Sequence, residues 1–336
     1  MDRLGHLLRR GAPCRRLTGI AERFFTRRRV LLGAATASLV PAVASCSAAT
    51  GPAASASDFD PGALSATLAA ADRTRFLALF TPDAAGQDLG ARLFANWTAL
   101  GARLSGADAA QGARLVVHWS APGERNEAVE TVAFTVVSGL VRSATPVGAT
   151  SPLWLVEEVA IASAQGAACV RSVAIPDAVG AAWLTAAAEA SGVVTGAGLG
   201  SAAASWDGVL VVVLPSTPDA FRRVSGLDSA TAAATQAAAV MAASDSAPRI
   251  VGNTATTSGL DAAGLRTVLV HEGVHVALRS AVSNAPLWAS EGIAESVAEA
   301  SDPATRERNE GLVAAAPRPT TLPSVTSRQG MMRLVS

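Results

Sequence analysis

The sequence contains no tyrosine and no lysine, so all 27 of its basic residues are arginine, balanced by 27 acidic residues. An alanine-rich, lysine-free composition of this kind reads as the bias of a GC-rich genome and not as chemistry. The formal net charge is zero, and no long run of one sign follows the N-terminal region. Nucleic acid is therefore excluded as an expected partner, because binding it needs a concentrated positive patch. Cysteine is scarce: Cys14, Cys46 and Cys169 are the whole set. The first two lie in the N-terminal region, so no intramolecular disulfide is expected in the body of the chain. Cys169 reads as a buried structural thiol.

What is present begins with the N-terminus. "TRRRVLLGAATASLVPAVASC" has an arginine cluster at Arg27–Arg29, an apolar stretch from Val30 to about Val43, and small residues before Cys46. These are the parts of a secretory signal. Pro41 interrupts the stretch, which is too short for a good membrane span. Val43-Ala44-Ser45-Cys46 resembles a bacterial lipobox, in which the cysteine carries lipid. Thr26–Leu31 resembles a twin-arginine signal, which implies export of a folded protein. The expectation is a leader over 1–45, a lipid anchor at Cys46 on the extracytoplasmic face of the cell membrane, and a small-residue tether over 46–60.

Half of the 336 residues are hydrophobic, enough for one large or two ordinary domains. From Pro61 to about Arg142 the pattern is helices, then strands. "ALSATLAAADRTRFLALF" and "LGARLFANWTALGARL" carry helical periodicity, whereas "ARLVVHWS" and "ETVAFTVVSGLVR" are β-rich runs joined by the turn-like "APGERNE". "SPLWLVEEVAI" and "AACVRSVAI" read as further strands. The fold class expected is α+β. The order of elements over 61–175 resembles NTF2-like (SnoaL-like) domains, a curved antiparallel sheet behind helices. His118, alone on a strand, is given no role by its local sequence.

A second unit is expected over 176–316, followed by a tail over 317–336. "DAVGAAWLTAAAEASGVV" reads as a helix and "WDGVLVVVLPST" as a buried strand. "TPDAFRRVSG" reads as a short helix capped by Thr217. "PRIVGNTATTSGL" contains a short strand, taken as an edge able to pair with an extended peptide. Two long helices follow, Asp261 to about Val282 and about Pro286 to Ala300. Pattern is lost from Ser301 on.

The chemistry sits on those two helices. Within "VLVHEGVHVALRS", His271 and His275 are four positions apart, so they project from one helix face and can share a metal ion. Glu272 lies one step around. Two neutral imidazoles suit Zn²⁺, with the glutamate beside the metal's water. Apolar neighbours give the metal a low-dielectric surround. Two histidines leave a tetrahedral zinc short of a ligand, and "APLWASEGIAESVAEA" supplies candidates in Glu291 and Glu295.

HExxH followed by P-x-W-x-x-E-G-x-A-E resembles the gluzincins, zinc metallopeptidases whose third ligand is a glutamate on a second helix. In detail it resembles bacterial surface lipoproteins of the peptidase MA-like type. The likeness covers roughly 176–300. It implies a zincin-like, mainly helical domain with a small sheet, in which His271, His275 and Glu291 bind zinc and Glu272 is the general base. It also implies that Glu295 accepts a hydrogen bond from His271.

Two departures stand out. Gly273 occupies a position where a bulkier residue is expected, at about 1 kcal/mol of helix propensity. No tyrosine, and no histidine after His275, is present to stabilise a tetrahedral oxyanion. Arg279, backbone, His118 across a domain interface, or nothing fills that role. Arg279 also reads as a substrate-orienting or carboxylate-pairing residue, or as a solvated arginine near a helix end. The function expected is zinc-dependent hydrolysis of peptide bonds. The alternative is a non-catalytic surface lipoprotein, zinc-binding or lapsed, that acts as a binding module.

Overall fold

The computed structural model describes residues 59–106, 113–240, 246–279 and 285–315. The leader, Cys46, nearly all of the tether and the tail over 317–336 lie outside the described residues.

Three helices open the described chain: α1 (Pro61–Ala69), α2 (Arg73–Leu77) and α3 (Ala84–Ala99). Each starts on an aspartate whose carboxylate accepts from the first turn: Asp60 from Gly62, Asp72 from Arg75 and Asp83 from Gly86. Such caps satisfy backbone donors that have no partner inside the helix. Strands β1 (Arg103–Gly106), β2 (Arg114–Trp119), β3 (Ala128–Val137) and β4 (Leu140–Pro146) form an antiparallel sheet in sequence order. Ser138 and Gly139 join β3 to β4 with φ of 50° and 78°, the left-handed pair that a tight two-residue hairpin requires. Leu115, Val117 and Trp119 of β2 are buried, while Val116 and His118 point to the opposite face.

A short helix, α4 (Leu153–Val156), stands where a strand was expected. The cause is tertiary. The buried Asn96 amide of α3 donates to the Trp154 and Glu157 carbonyls at 2.7 and 2.8 Å and accepts from Val159 N at 2.9 Å. One side chain thereby holds the turn that an apolar sequence alone leaves ambiguous.

The second sheet has the order β5-β6-β7-β9-β8. Its strands are β5 (Val159–Ala164), β6 (Ala167–Ser172), β7 (Leu210–Leu214), β8 (Ala237–Val240) and β9 (Arg249–Gly252). β6, β7 and β9 run parallel, with β5 and β8 antiparallel at the two edges. Two expectations change here. The boundary drawn at residue 175 does not separate the sheets, because β5 and β6 pair into the second one. The small sheet expected beside the helices is instead a five-stranded mixed sheet. The α+β class stands: an antiparallel sheet with its helices is followed by a mixed sheet with its own.

The remaining elements are α5 (Asp177–Gly196), α6 (Pro218–Ser225), α7 (Ser229–Ala234), α8 (Thr254–Thr257), α9 (Ala262–Leu278), α10 (Leu287–Ser301) and α11 (Pro303–Ala315). Thr217 caps α6 as expected, accepting from Ala220 N at 3.1 Å. α11 was not expected, although Asp302 before Pro303 is a helix-start signature: its carboxylate accepts from Ala304 N and Thr305 N.

The inner strands of the second sheet are buried on both faces, in alternation. Ala168, Val170, Val211, Val213 and Val251 face the core shared with the first sheet and α3. Ala167, Cys169, Leu210, Val212, Leu214 and Ile250 face a second core with Trp183, Ala187 and Val194 of α5 and Leu269, Val270 and Val274 of α9. Apolar packing on both sides accounts for the uninterrupted "VLVVVL" of β7. Cys169 sits in the second core, where burial pushes its thiol pKa up to about 12.

Candidate metal centre

α9 starts at Asp261, which caps Gly264 N at 2.8 Å. It crosses the second sheet with Leu269, Val270, Val274 and Ala277 fully buried. That packing turns His271 and His275 to the side where α10 lies. Gly273 explains itself in this register. A Cβ there would meet Leu210 Cδ1 at 3.0 Å and Val194 Cγ2 at 3.1 Å. The helix approaches β7 and α5 too closely for any side chain to fit without displacing them.

α10 buries Ala294 and Ala298 in the same core and brings Glu291 and Glu295 to the histidines. Glu291 reaches both His271 and His275, whereas Glu295 reaches His271. Advancing along α9 thus corresponds to retreating along α10, so the two helices run antiparallel.

The distances are specific. His271 Nε2 and His275 Nε2 are 3.2 Å apart. Glu291 Oε2 is 3.5 Å from His271 Nε2, and its Oε1 is 3.6 Å from His275 Nε2. A tetrahedral zinc with bonds of about 2.0–2.1 Å has ligand–ligand edges of about 3.3 Å. The His271–His275 separation is close to that edge, and the Glu291 carboxylate approaches the two rings through its two different oxygens, so the three side chains converge on one point. Among the described residues they form the one group of histidine, cysteine or carboxylate side chains whose ligand atoms converge in this way. The side chains of His271, His275 and Glu291 keep 17, 14 and 22% exposure, so the cluster opens to solvent and is not sealed in the core.

Glu295 Oε2 lies 3.4 Å from His271 Nδ1. A carboxylate there favours a proton on Nδ1 and leaves the Nε2 lone pair aimed at the convergence point. Glu272 is 3% exposed, and its Oε2 accepts from the backbone N–H of Ala239 at 2.9 Å.

The electrostatics follow from this crowding. For His271, burial acts to lower the pKa, but hydrogen bonds to Glu291 and Glu295 and the charges of Glu272 and Glu291 outweigh it, giving about 10. Burial, helped by the charge of His271, lowers His275 to about 4. Burial raises Glu272 to about 7; His271 and the Ala239 N–H oppose the rise, and Glu291 adds to it. Three carboxyl groups around two imidazoles make a cluster that attracts a cation.

Two of the residues weighed as oxyanion donors are held by other contacts. Arg279 Nη1 donates to the Ser246 carbonyl at 2.7 Å, while Ser246 Oγ accepts from Val129 N at 3.0 Å. Arg279 thus ties the end of α9 to the segment before β9 and, through it, to the first sheet. His118 lies on the outer face of the first sheet, beside Ser105 Oγ at 3.1 Å and Glu127 Oε2 at 3.6 Å. Its contacts are with Ser105 and Glu127, and it is not among the side chains that converge with His271.

The expected edge strand moves as well. "RIVGN" is β9, flanked by β7 on one side and β8 on the other. On that side of the sheet the edge is β8, whose alanine-rich sequence gave no strand signal. Gln236 O accepts from Asn253 N at 2.8 Å. By alternation, Ala237 and Ala239 turn their N–H and C=O groups outward, and Ala239 N–H meets Glu272.

Sequence reasoning missed two further contributors, the backbone of Ala239 and the side chain of Asn309 on α11. Neither carries a sequence signal, since one is main chain and the other lies beyond the motif. No family model, curated protein or solved structure matches the chain.

Proposed function

We propose that the chain is a zinc-dependent peptidase, exported by its leader and held at the outer face of the membrane by lipid on Cys46. The observation that supports this most is the convergence of His271 Nε2 and His275 Nε2, 3.2 Å apart, on the Glu291 carboxylate, whose Oε2 is 3.5 Å from the first and whose Oε1 is 3.6 Å from the second.

His271, His275 and Glu291 would hold the ion. Zinc in such a site lowers the pKa of its water to about 7 and polarises a carbonyl. The chain's own groups do the rest. Glu295 orients His271 through Nδ1. Glu272, next to His271 on the same helix, is placed to take a proton from the attacking water and to give one to the leaving amine. The Ala239 N–H fixes Glu272 Oε2 and leaves Oε1 for that proton. The outward groups of Ala237 and the Ala239 carbonyl offer an extended peptide a strand to pair with, next to Glu272.

The test is the metal content and peptidase activity of the purified protein. About one zinc per chain is expected, with cleavage of a peptide pool that stops on chelation and returns with zinc. Glu291→Ala should lose both. A folded protein that takes up no zinc overturns the reading. Zinc uptake without cleavage of any peptide leaves the non-catalytic binding lipoprotein in its place.

A further inference from the structure

The carboxylate that orients His271 is itself held. Glu295 Oε1 accepts from Asn309 Nδ2 at 3.2 Å, and the same nitrogen donates to Glu299 Oε1 at 2.6 Å. Asn309 is 7% exposed. An amide nitrogen carries two hydrogens, and here two carboxylates, one helical turn apart on α10, take both. Carboxylate oxygens only accept, so the nitrogen and not the carbonyl must face them.

α11 is also pinned at its start. Asp302 caps the helix and, through Oδ2, accepts from Thr267 Oγ1 at 3.1 Å. Thr267 precedes His271 by one turn of α9. The last described helix is thereby tied to both helices that carry the histidines and Glu291: to α9 through Asp302, and to α10 through Asn309.

We propose that Asn309 is a positioning residue of the metal centre. It holds Glu295 against His271 Nδ1, and α11 becomes the third structural member of the site. Without the amide, Glu295 and Glu299 lose the donor that stands between their like charges, and the hold on Glu295 beside His271 weakens. His271 then loses the partner that fixes its tautomer and ring plane. This inference rests on the metal-centre reading above.

The measurement is zinc affinity by competition with a chromogenic chelator, with the visible spectrum of the Co²⁺-substituted protein as a second readout. Glu295→Gln should weaken zinc by about 10–100-fold, the usual range for the partner of a ligating histidine. Asn309→Ala, one bond further out, should weaken it by about tenfold and alter the Co²⁺ bands. In the Glu295→Gln background Asn309→Ala should have no further effect, because it acts through Glu295. Asn309→Gln and Asn309→Met form a matched pair of similar shape in which only Gln can donate. Gln should bind zinc at least about fivefold tighter than Met, and this comparison stands if the alanine variant fails to fold. Equal affinity in that pair, or an undiminished Asn309→Ala effect beside Glu295→Gln, overturns the proposal and leaves the zinc site standing. A protein that binds no zinc overturns both.

Discussion

The Glu272 carboxylate and the Ala239 backbone N–H meet at 2.9 Å, joining the HExxH helix to the edge strand of the second sheet. The contact buries one carboxylate oxygen with a partner and sets the direction of the other. Glu272→Gln keeps an oxygen for Ala239 and removes the proton acceptor. Zinc content should stay unchanged, while peptide hydrolysis falls by about 10²–10⁴-fold, the range for loss of a positioned acid–base group. Glu272→Ala should lose activity equally and also lower stability, because it leaves the Ala239 N–H unpaired. Turnover on a peptide pool together with metal analysis decides this. Full activity in the Gln variant would exclude Glu272 as the base.

Gly273 sets a packing limit. Alanine is favoured over glycine in a helix by about 1 kcal/mol. Here its Cβ would press on Leu210 Cδ1 and Val194 Cγ2 at 3.0 and 3.1 Å, and overpacking typically costs about 1–3 kcal/mol. The contacted atoms are side-chain ends that must give by a few tenths of an ångström, so the two effects offset each other and Gly273→Ala should shift stability by no more than about 1 kcal/mol. Gly273→Leu should be far worse. Urea unfolding of the three proteins checks the order.

The helices and the His271–His275–Glu291 cluster were legible because periodicity and motif spacing are local properties. His271, His275 and Glu291 meet because the largely apolar α9 packs against β7 and α5 and turns its two histidines toward α10. The sheet boundary was not legible. β6 reads as a strand from "AACVRS", but its pairing with β7 depends on the α5 crossover between them, a non-local fact. β8 was invisible because Ala237–Ala239 lack β-branched side chains and take strand form only through β9. α4 was misread because Asn96, more than fifty residues earlier, supplies the hydrogen bonds that close its turn. Asn309 belongs to the site through tertiary contact alone.

Between the two sheets Arg249 and Glu124 form a bidentate pair, at 2.5 Å for Nη1–Oε1 and 3.1 Å for Nη2–Oε2. Their side chains are 8 and 4% exposed, and the guanidinium lies 4.2 Å over the Trp119 ring. Removing one partner strands a buried charge, at about 3–5 kcal/mol. Arg249→Met should therefore be strongly destabilising. The double variant with Glu124→Gln should recover most of the loss, because Glu124 no longer carries an uncompensated charge. Denaturant midpoints of the two single variants and the double variant provide the cycle. Equal destabilisation in the single Arg249 variant and the double variant would show that the Trp119 contact, not the charge, carries the energy.

Glu130 shares that interface. Its Oε2 accepts from the indole of Trp119 at 3.0 Å and from the indole of Trp154. Loss of water raises its pKa above the ordinary value of 4.5, against the pull of the two indoles and of Arg249. A carboxyl raised in this way binds its proton more tightly when folded than when unfolded. Stability is therefore greatest below about 4.5, the unfolded value, and falls as pH climbs through the interval up to the folded value. Glu124, also raised chiefly by burial, adds in the same direction. This component opposes the usual gain in stability that paired carboxylates give as pH rises. Glu130→Gln keeps the indole contacts and cannot ionise, so it should gain stability relative to the parent as pH rises from 4 toward 7. Urea unfolding of both proteins across that range measures the difference, and parallel curves would mean that Glu130 titrates alike in the folded and unfolded chain.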